Sequence, residues 1–376
     1  MNLKNVIKNE KKNLMHGNHG GEIFKFNSKK NLDSLMDFST NINHLVTPNM
    51  LLSAYKDALN QVSMYPDSNS TLLKEELVRY FNNTITKDNL IVGAGSMDLI
   101  STFCDMFIDT ADDVIIIQPT FSEYAWGIEK NGGTIINSYR TSENDFYIEH
   151  ESIINNFTHR TKAIFICNPN NPNGVLDNSK ELEKIIRLAS KNDIIVFLDE
   201  AFIEFADESN SFINNILSFD NLFICRTFTK FFGLTGLRIG FGVSSPKIIN
   251  YMKRGQKLWP VNCFGQVFAL KMLKLKKFTE DSLQFFSIER EFIKKKLLEI
   301  PRLKIFPTNT NFFLINTENI GIKSNLIKEL LIEENILIRD CSNFEGLNDY
   351  YIRFSIKNRD MNIKLINALK KIVNRI

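Results

Sequence analysis

From about residue 70 onward, short apolar runs alternate with segments that have helical periodicity. The runs are rich in Ile, Val and Phe, and they read NLIVGAG, DVIIIQP, AIFICNP, IIVFLDE, NLFICRTF and LRIGFGV. Continuous apolar runs of this kind are typical of strands buried on both faces of a mainly parallel sheet. Such sheets bind ligands outside the carboxyl ends of their strands. The sequence therefore predicts an α/β fold whose functional residues follow the strands.

The pattern differs between the ends and the middle of the chain. Residues 1–45 are polar and rich in Lys and Asn, which predicts an extended N-terminal arm. Residues 46–265 carry the alternating pattern and are predicted to form a large domain. Residues 266–376 contain a long charged helical stretch and fewer strands, which indicates a smaller α+β domain.

Composition excludes several classes of partner. The net charge of +3 is nearly balanced along 376 residues, so no nucleic-acid partner is expected. No apolar stretch approaches the roughly 20 residues of a membrane helix, and the N-terminus lacks an apolar signal region. We therefore expect a cytoplasmic protein without a membrane partner. The five cysteines form no CxxC motif and are expected to be free thiols; they are Cys104, Cys167, Cys225, Cys263 and Cys341.

Lys230 ends the segment TFTK, which follows a predicted strand. The hydroxyl groups of Thr227 and Thr229, together with Arg238, offer a phosphate site beside this amine. A lysine captures an aldehyde only when desolvation or nearby positive charge lowers its pKa. A single lysine is more often a solvated surface residue, so Lys230 needs support from other segments.

Three further segments follow predicted strands. Asp199 could cap a helix, bind a metal, or pair with a protonated pyridine nitrogen. Asn171 in NPNNPNG could belong to a turn or donate a hydrogen bond to a phenolic oxygen. Residues 93–98, GAGSMD, place a glycine loop before a helix, which is a suitable anion site. Together the four segments supply the contacts that pyridoxal 5′-phosphate (PLP) requires, and no metal is expected.

These motifs resemble the fold-type I PLP enzymes, in the branch of histidinol-phosphate aminotransferase and the threonine-phosphate decarboxylase of cobalamin biosynthesis. The resemblance covers nearly the whole chain. It implies an aspartate-aminotransferase-like α/β fold, with a large domain around a mainly parallel mixed sheet and a smaller C-terminal α+β domain. It also implies catalytic roles for Lys230, which would carry PLP as a Schiff base, and for Asp199 at the pyridine nitrogen.

Further cofactor contacts are implied by the same resemblance. Packing in the core is the alternative for Phe121, because the chain has 31 Phe. Tyr65 in MYPDSNS would reach the cofactor phosphate of the neighbouring subunit, which implies a homodimer. The full implied set is Gly95, Ser96 and Met97 at the phosphate, Phe121 on the ring, Asn171, Thr227, Thr229, Arg238 and Tyr65.

Three local features favour the decarboxylase within this branch. HGGEI and DFSTNIN resemble its N-terminal elements, which would place His19, Gly20 and Asn41 at the substrate. Phe202 stands where the aminotransferases typically have Tyr, although a tolerated core substitution would have the same appearance. The segment ILIRDCSNFEGL resembles a third decarboxylase element, and it contains Arg339.

Arg339 and Arg353 match the two substrate arginines of this branch. Guanidinium groups are planar and bind both phosphates and carboxylates in a bidentate manner. We assign Arg353 to the α-carboxylate and Arg339 to the phosphate, with Asn171 also at the substrate. His44, in place of a typical Pro, and Asp340, in place of a second Arg, depart from the decarboxylase pattern.

The sequence thus predicts decarboxylation of a small phosphorylated amino acid, most directly O-phospho-L-threonine to (R)-1-aminopropan-2-yl phosphate for cobalamin biosynthesis. Phosphoserine and phosphonate amino acids are further candidate substrates. The alternative is a histidinol-phosphate-type aminotransferase. The two reactions break different bonds at the same carbon, so the orientation of the substrate decides between them.

Overall fold

A computed structural model describes residues 11, 14–17, 19–21 and 35–374. Its strands are β1 (Met36–Asp37), β2 (Leu90–Gly93), β3 (Asp113–Gln118), β4 (Thr134–Tyr139), β5 (Thr161–Cys167), β6 (Ile195–Asp199), β7 (Leu222–Thr227), β8 (Gly240–Ser244), β9 (Lys304–Ile305), β10 (Phe312–Asn316), β11 (Ile336–Leu337), β12 (Arg339–Asp340) and β13 (Tyr351–Ser355). Its α-helices are α1 (Pro48–Leu59), α2 (Thr71–Tyr80), α3 (Ser96–Phe107), α4 (Glu123–Lys130), α5 (His150–Ile154), α6 (Ser179–Lys191), α7 (Pro246–Gly255), α8 (Cys263–Leu273), α9 (Lys276–Leu298), α10 (Ser324–Glu333) and α11 (Arg359–Asn374).

The larger sheet has seven strands in the order β2-β8-β7-β6-β5-β3-β4. Its strands run parallel except for β8, which is antiparallel to both β2 and β7. The predicted α/β fold of the aspartate-aminotransferase type, with a mainly parallel mixed sheet, is therefore confirmed. The chain adds β4 on one side of β3 and then crosses to place β5 on the other side. This change of direction opens a crevice at the carboxyl ends of the strands.

Alternate side chains of the central strands enter two hydrophobic layers, one on each face of the sheet. In β6, Val196 and Leu198 face one layer and Phe197 faces the other. The ring of Phe197 lies 4.9 Å from that of Phe165 and 5.4 Å from that of Phe223, measured between centroids. Burial on both faces explains why these strands are continuously apolar.

The smaller sheet has four antiparallel strands in the order β12-β13-β10-β9. Its register places Arg339 of β12 directly opposite Arg353 of β13. Strand β1 pairs in parallel with β11, and Phe38 beyond it is fully buried. The end of the polar N-terminal segment is thus joined to the C-terminal part of the chain. The domain boundaries after residues 45 and 265 remain predictions.

All five cysteines are free thiols, and four of them are buried. Among the described residues, no helix combines the length and the apolar character that a membrane crossing requires.

Candidate active site

A cavity of about 500 Å³ lies at the carboxyl ends of the parallel strands. It brings together most of the residues that the sequence singled out. Those that line it are Ser96, Met97, Phe121, Asn171, Asp199, Thr229, Lys230 and Arg238 from the expected cofactor set, and His19, Gly20, Asn41, Arg339 and Arg353 from the expected substrate set.

Three of the expected residues do not line this cavity. Gly95 lies behind it with φ +84°, and an added Cβ atom would come within 3.0 Å of Arg238 Nη2. Thr227 supports the wall by donating a hydrogen bond from its Oγ1 to Thr229 Oγ1 at 3.0 Å. Tyr65 is 79% exposed, and its ring stacks on Trp259.

Lys230 follows β7 at the wall of the cavity. Desolvation by burial lowers the pKa of its amine to about 8, and the positive charges of Arg353 and Arg238 act in the same direction. Its Nζ lies 5.8 Å from the ring centroid of Phe202. A substantial fraction of this amine is neutral near physiological pH, which is the form that attacks an aldehyde.

Asp199 ends β6 on the floor of the cavity and is almost fully buried. Burial raises the pKa of its carboxyl group to about 6, although hydrogen bonds from Tyr124 and Ala201 oppose that shift. The Tyr124 hydroxyl donates to Asp199 Oδ2 at 2.6 Å, and the Ala201 amide donates to Oδ1 at 2.9 Å. These two donors hold the carboxylate in one orientation and favour its ionised form.

The opposite end of the cavity is suited to a phosphate group. Ser96 begins α3, so free backbone N–H groups and the positive end of the helix dipole lie there. The Arg238 side chain and the Thr229 hydroxyl complete the set of donors. An amine, a buried carboxylate and this anion site fit the aldehyde, the pyridine nitrogen and the phosphate of PLP, respectively.

The two arginines lie on neighbouring strands of the small sheet. Arg353 donates from Nη1 to Asn171 Oδ1 and from Nη2 to the Ser39 carbonyl oxygen at 3.1 Å. Arg339 donates from Nη2 to Asn343 Oδ1 at 2.6 Å. Burial lowers the pKa of Arg353 to about 10, so the group stays charged at neutral pH. The cavity wall therefore presents two oriented guanidinium groups side by side.

Asp340 and His44 are the two residues that depart from the decarboxylase pattern, and the structure shows what each of them contacts. Asp340 does not line the cavity; it accepts hydrogen bonds from Ser324 Oγ at 2.8 Å and from the Ser342 amide at 2.9 Å. His44 packs edge-on against Phe285 and Phe286, and burial lowers its pKa to about 4. Its ring nitrogens have no hydrogen-bond partner among the described residues.

Sequence reasoning missed several residues of this site. Tyr124 lies three positions after Phe121 on the first turn of α4, and that spacing is the one signal in the sequence that could have identified it. Glu123, the neighbour of Tyr124, binds the N-terminal arm through His19. Asn343 orients Arg339 from a loop that carries no periodic pattern.

Comparison with known proteins identifies the family of the chain. The aminotransferase class I and II family matches residues 33–369. A histidinol-phosphate aminotransferase from Methanococcus aeolicus is 33% identical over 99% of this chain and 98% of its own length. One from Thermoanaerobacter pseudethanolicus is 35% identical over 84% of this chain and 86% of its own length.

The crystal structure of the histidinol-phosphate aminotransferase from Clostridium acetobutylicum has a TM-score of 0.84 and 33% identity, covering 91% of this chain and all of that one. The chain belongs to the aminotransferase class I and II family, and its cofactor is PLP.

The expected decarboxylation is wrong. Relatives that are 33–35% identical over most of the chain bear the name histidinol-phosphate aminotransferase. The L-threonine-O-3-phosphate decarboxylase from Porphyromonas gingivalis is 22% identical with a TM-score of 0.78, over 90% of this chain and all of that one, so it shows the fold alone. The predictions of a threonine phosphate substrate and of a place in cobalamin biosynthesis depended on decarboxylation, so they are wrong as well.

The physical reason is that none of the three features used for that prediction selects the bond that breaks. Phe202 packs edge-on against Phe312, with the ring centroids 5.1 Å apart. Guanidinium groups such as those of Arg339 and Arg353 can bind anions whichever bond breaks. His19 and Gly20 line the cavity at its N-terminal edge.

We expect Tyr124→Phe to lower kcat about tenfold, because Asp199 would lose a charge-assisted hydrogen bond and its pKa would rise further. Steady-state kinetics and absorbance titration with PLP measure the effect. Tyr80→Phe is the matched control, since the Tyr80 hydroxyl donates to Glu208 at 3.1 Å outside the cavity. Equal activities of the two variants would contradict the role given to Tyr124.

The pKa of Lys230 predicts how the apoenzyme captures PLP as the pH changes. The neutral amine reacts, so the rate of capture is expected to rise with pH and to level off above about 8. Arg353→Met removes a positive charge, which raises the pKa of Lys230 and moves the plateau to higher pH. Stopped-flow absorbance measures the rate, and a rate in the unsubstituted enzyme that still increases at pH 10 would refute the prediction.

Proposed function

We propose that the chain is an aminotransferase that exchanges the amino group of L-histidinol phosphate with 2-oxoglutarate, forming the corresponding ketone and glutamate. The observation that carries this proposal is the 33–35% identity to histidinol-phosphate aminotransferases over most of the chain. The charge of the cavity supports it, because Arg339 and Arg353 lie side by side in its wall.

Both substrates of a transaminase must enter the same cavity. L-Histidinol phosphate has a phosphate group and no carboxylate, whereas 2-oxoglutarate has two carboxylates. Guanidinium groups bind either kind of anion through paired N–H donors. We keep the assignment of Arg353 to the α-carboxylate, here that of the keto acid, and of Arg339 to the phosphate. One wall thus accepts two substrates that share only their negative charge.

PLP, when it is bound, supplies an electron sink that makes the substrate's α C–H bond acidic. Asp199 would hold the pyridine nitrogen in its protonated form, and the hydrogen bond from Tyr124 favours the ionised form of that carboxylate. Phe121 and Asn171 line the cavity, where Phe121 would pack on the ring and Asn171 would bind its phenolic oxygen; Asn171 also contacts Arg353.

Lys230 is the group best placed to move the proton. Its Nζ has a pKa of about 8, close to the value at which an amine both accepts and returns a proton efficiently near neutrality. Arg353 is fixed by Asn171 and Ser39 before a substrate arrives. Prior ordering of this kind reduces the entropic cost of holding the α C–H bond toward Lys230.

The proposal includes a homodimer in which Tyr65 contributes to the partner's cofactor site. Tyr65 does not line the cavity of its own chain, and its exposed ring stacks on Trp259. Val62, Met64 and Leu258, which are close in sequence to one or the other of these two aromatic residues, are also exposed. Contiguous exposed apolar side chains are typical of surfaces that bind another protein.

The proposed activity is tested with purified protein, PLP, L-histidinol phosphate and 2-oxoglutarate. We expect glutamate to form, and its formation to stop when the keto acid is left out or in Lys230→Ala, which lacks the amine. Coupled detection of glutamate measures the rate. Absence of glutamate from the unsubstituted enzyme, at saturating concentrations of both substrates, would refute the proposal.

Replacement of Arg339 or Arg353 by lysine tests whether the two arginines bind different anionic groups. Lysine keeps the charge and loses the bidentate fork, so we expect kcat/KM to fall about 10- to 100-fold. The larger loss is expected for L-histidinol phosphate in Arg339→Lys and for 2-oxoglutarate in Arg353→Lys. Arg187→Lys, at an exposed ion pair with Glu183, is the control. Equal losses for both substrates in both variants would overturn the assignment.

A further inference from the structure

The carboxylate of Glu123 binds a short part of the predicted N-terminal segment 1–45. This part, residues 14–17 and 19–21, is called the arm from here on. His16 Nδ1 lies 2.6 Å from Glu123 Oε2, and His19 Nε2 lies 2.7 Å from Oε1. The Gly17 amide also donates to Oε1, at 3.1 Å. A carboxylate only accepts hydrogen bonds when it is ionised, so each facing ring nitrogen carries the proton. Three donors from one short segment therefore converge on a single acidic group.

Glu123 is 2% exposed, which makes this carboxylate unusual among acidic groups. Burial by itself would raise its pKa, but the hydrogen bonds from His19 and His16 bring that pKa below its ordinary value. The bonds to the arm are thus what keeps this buried group charged. The arm thus lies directly on the carboxylate and supplies its hydrogen-bond donors, so the two are expected to stabilise each other.

Glycines let the arm lie directly against the rest of the protein. A Cβ atom on Gly17 would collide with Ser122 Oγ, and one on Gly20 would collide with the carbonyl oxygen of Ser39. Gly21 has φ +85°, and its amide donates to Ser39 Oγ at 3.0 Å. Glycine is therefore required at positions 17 and 20, where the backbone of the arm comes close to Ser122 and to Ser39, respectively.

The arm contacts two different parts of the protein, Glu123 and Ser39. Glu123 belongs to α4, on the side of the large sheet, whereas the Ser39 carbonyl accepts a hydrogen bond from Arg353 of the small sheet. At the cavity wall, His19 lies 5.4 Å from Phe121, measured between ring centroids. Outside the cavity, the ring of His16 stacks on Trp126 at 4.4 Å.

We propose that Glu123 is a positioning residue that fastens the arm across the cavity and so makes the arm a wall of the substrate site. Glu123 itself does not line the cavity, although its neighbours Ser122 and Tyr124 do. It acts through His19, which it holds at the cavity wall beside Phe121. This inference rests on the proposed function for the identity of the substrate, but the attachment of the arm does not depend on it.

Amide hydrogen exchange in the holoenzyme, followed by mass spectrometry, tests the attachment without a substrate. We expect the arm to exchange about tenfold faster in Glu123→Ala, and by a smaller factor in Glu123→Gln, which keeps one acceptor oxygen. Glu181→Gln is the matched control, because Glu181 forms the same kind of pair with His150 at 2.6 Å outside the cavity. Unchanged exchange of the arm in Glu123→Ala would overturn the proposal.

If Glu123→Ala does not fold, His16→Ala removes one donor and leaves the carboxylate in place. Its arm is then expected to exchange faster than that of the unsubstituted enzyme, and an unchanged rate would again overturn the proposal.

Kinetics separate a positioning role from a structural one. In Glu123→Gln we expect KM for L-histidinol phosphate to rise about tenfold while kcat stays within about twofold, because a displaced arm weakens substrate binding but leaves Lys230 and Asp199 in place. A fall in kcat with unchanged KM would overturn the proposal and place the effect at the cofactor. Lack of turnover by the unsubstituted enzyme would refute the proposed function alone, and the exchange experiment would still decide on the arm.

Discussion

The buried carboxylate of Asp199 is the constraint on which the site depends. A charge at the end of a central strand, between two hydrophobic layers, is stable only when donors surround it. The Tyr124 hydroxyl and the Ala201 amide supply two donors, and the neighbouring strand positions carry Cys167 and Cys225, which are small and bring no competing charge. The apolar runs of the sequence predict this sheet, and burial in the sheet also raises the pKa of the Asp199 carboxyl group.

The remaining charges of the cavity follow from the same low polarity. Arg238, Arg339, Arg353 and Lys230 all line it, together with the acidic Asp37 and Asp199. Burial lowers the pKa of Lys230, and the positive charges of Arg353 and Arg238 add to that shift. The four cationic groups outnumber the two carboxylates, which favours the binding of anions. A bound cofactor phosphate would satisfy part of this excess. Under the proposed function, a substrate phosphate or a pair of carboxylates would satisfy the rest, so that one cavity could accept two chemically different substrates.

Sequence reasoning predicted the fold, and it singled out Asp199, Asn171 and Lys230. The structure brings these three residues to one cavity, because each lies at or shortly after the end of an apolar strand. It missed Tyr124 and Glu123, which lie on α4. Their hydrogen-bond partners Asp199 and His19 are 75 and 104 positions away in the sequence, respectively. Contacts of that range have no local signature. The reaction was predicted wrongly for a different reason, since transamination and decarboxylation require the same cofactor contacts and differ in the orientation of the substrate, which no single residue encodes.

The N-terminal arm explains why the resemblance to the decarboxylase was misleading. Its glycines permit close contact with Ser39 and Ser122, and its histidines match the carboxylate of Glu123. All of these features attach the arm to the rest of the protein, and none of them depends on which bond of a substrate is broken. Glu123 and Tyr124 are adjacent in the chain, so the first turn of α4 holds the arm with one side chain and Asp199 with the next. A single rigid element thereby fixes the wall of the substrate site relative to the group that controls the cofactor.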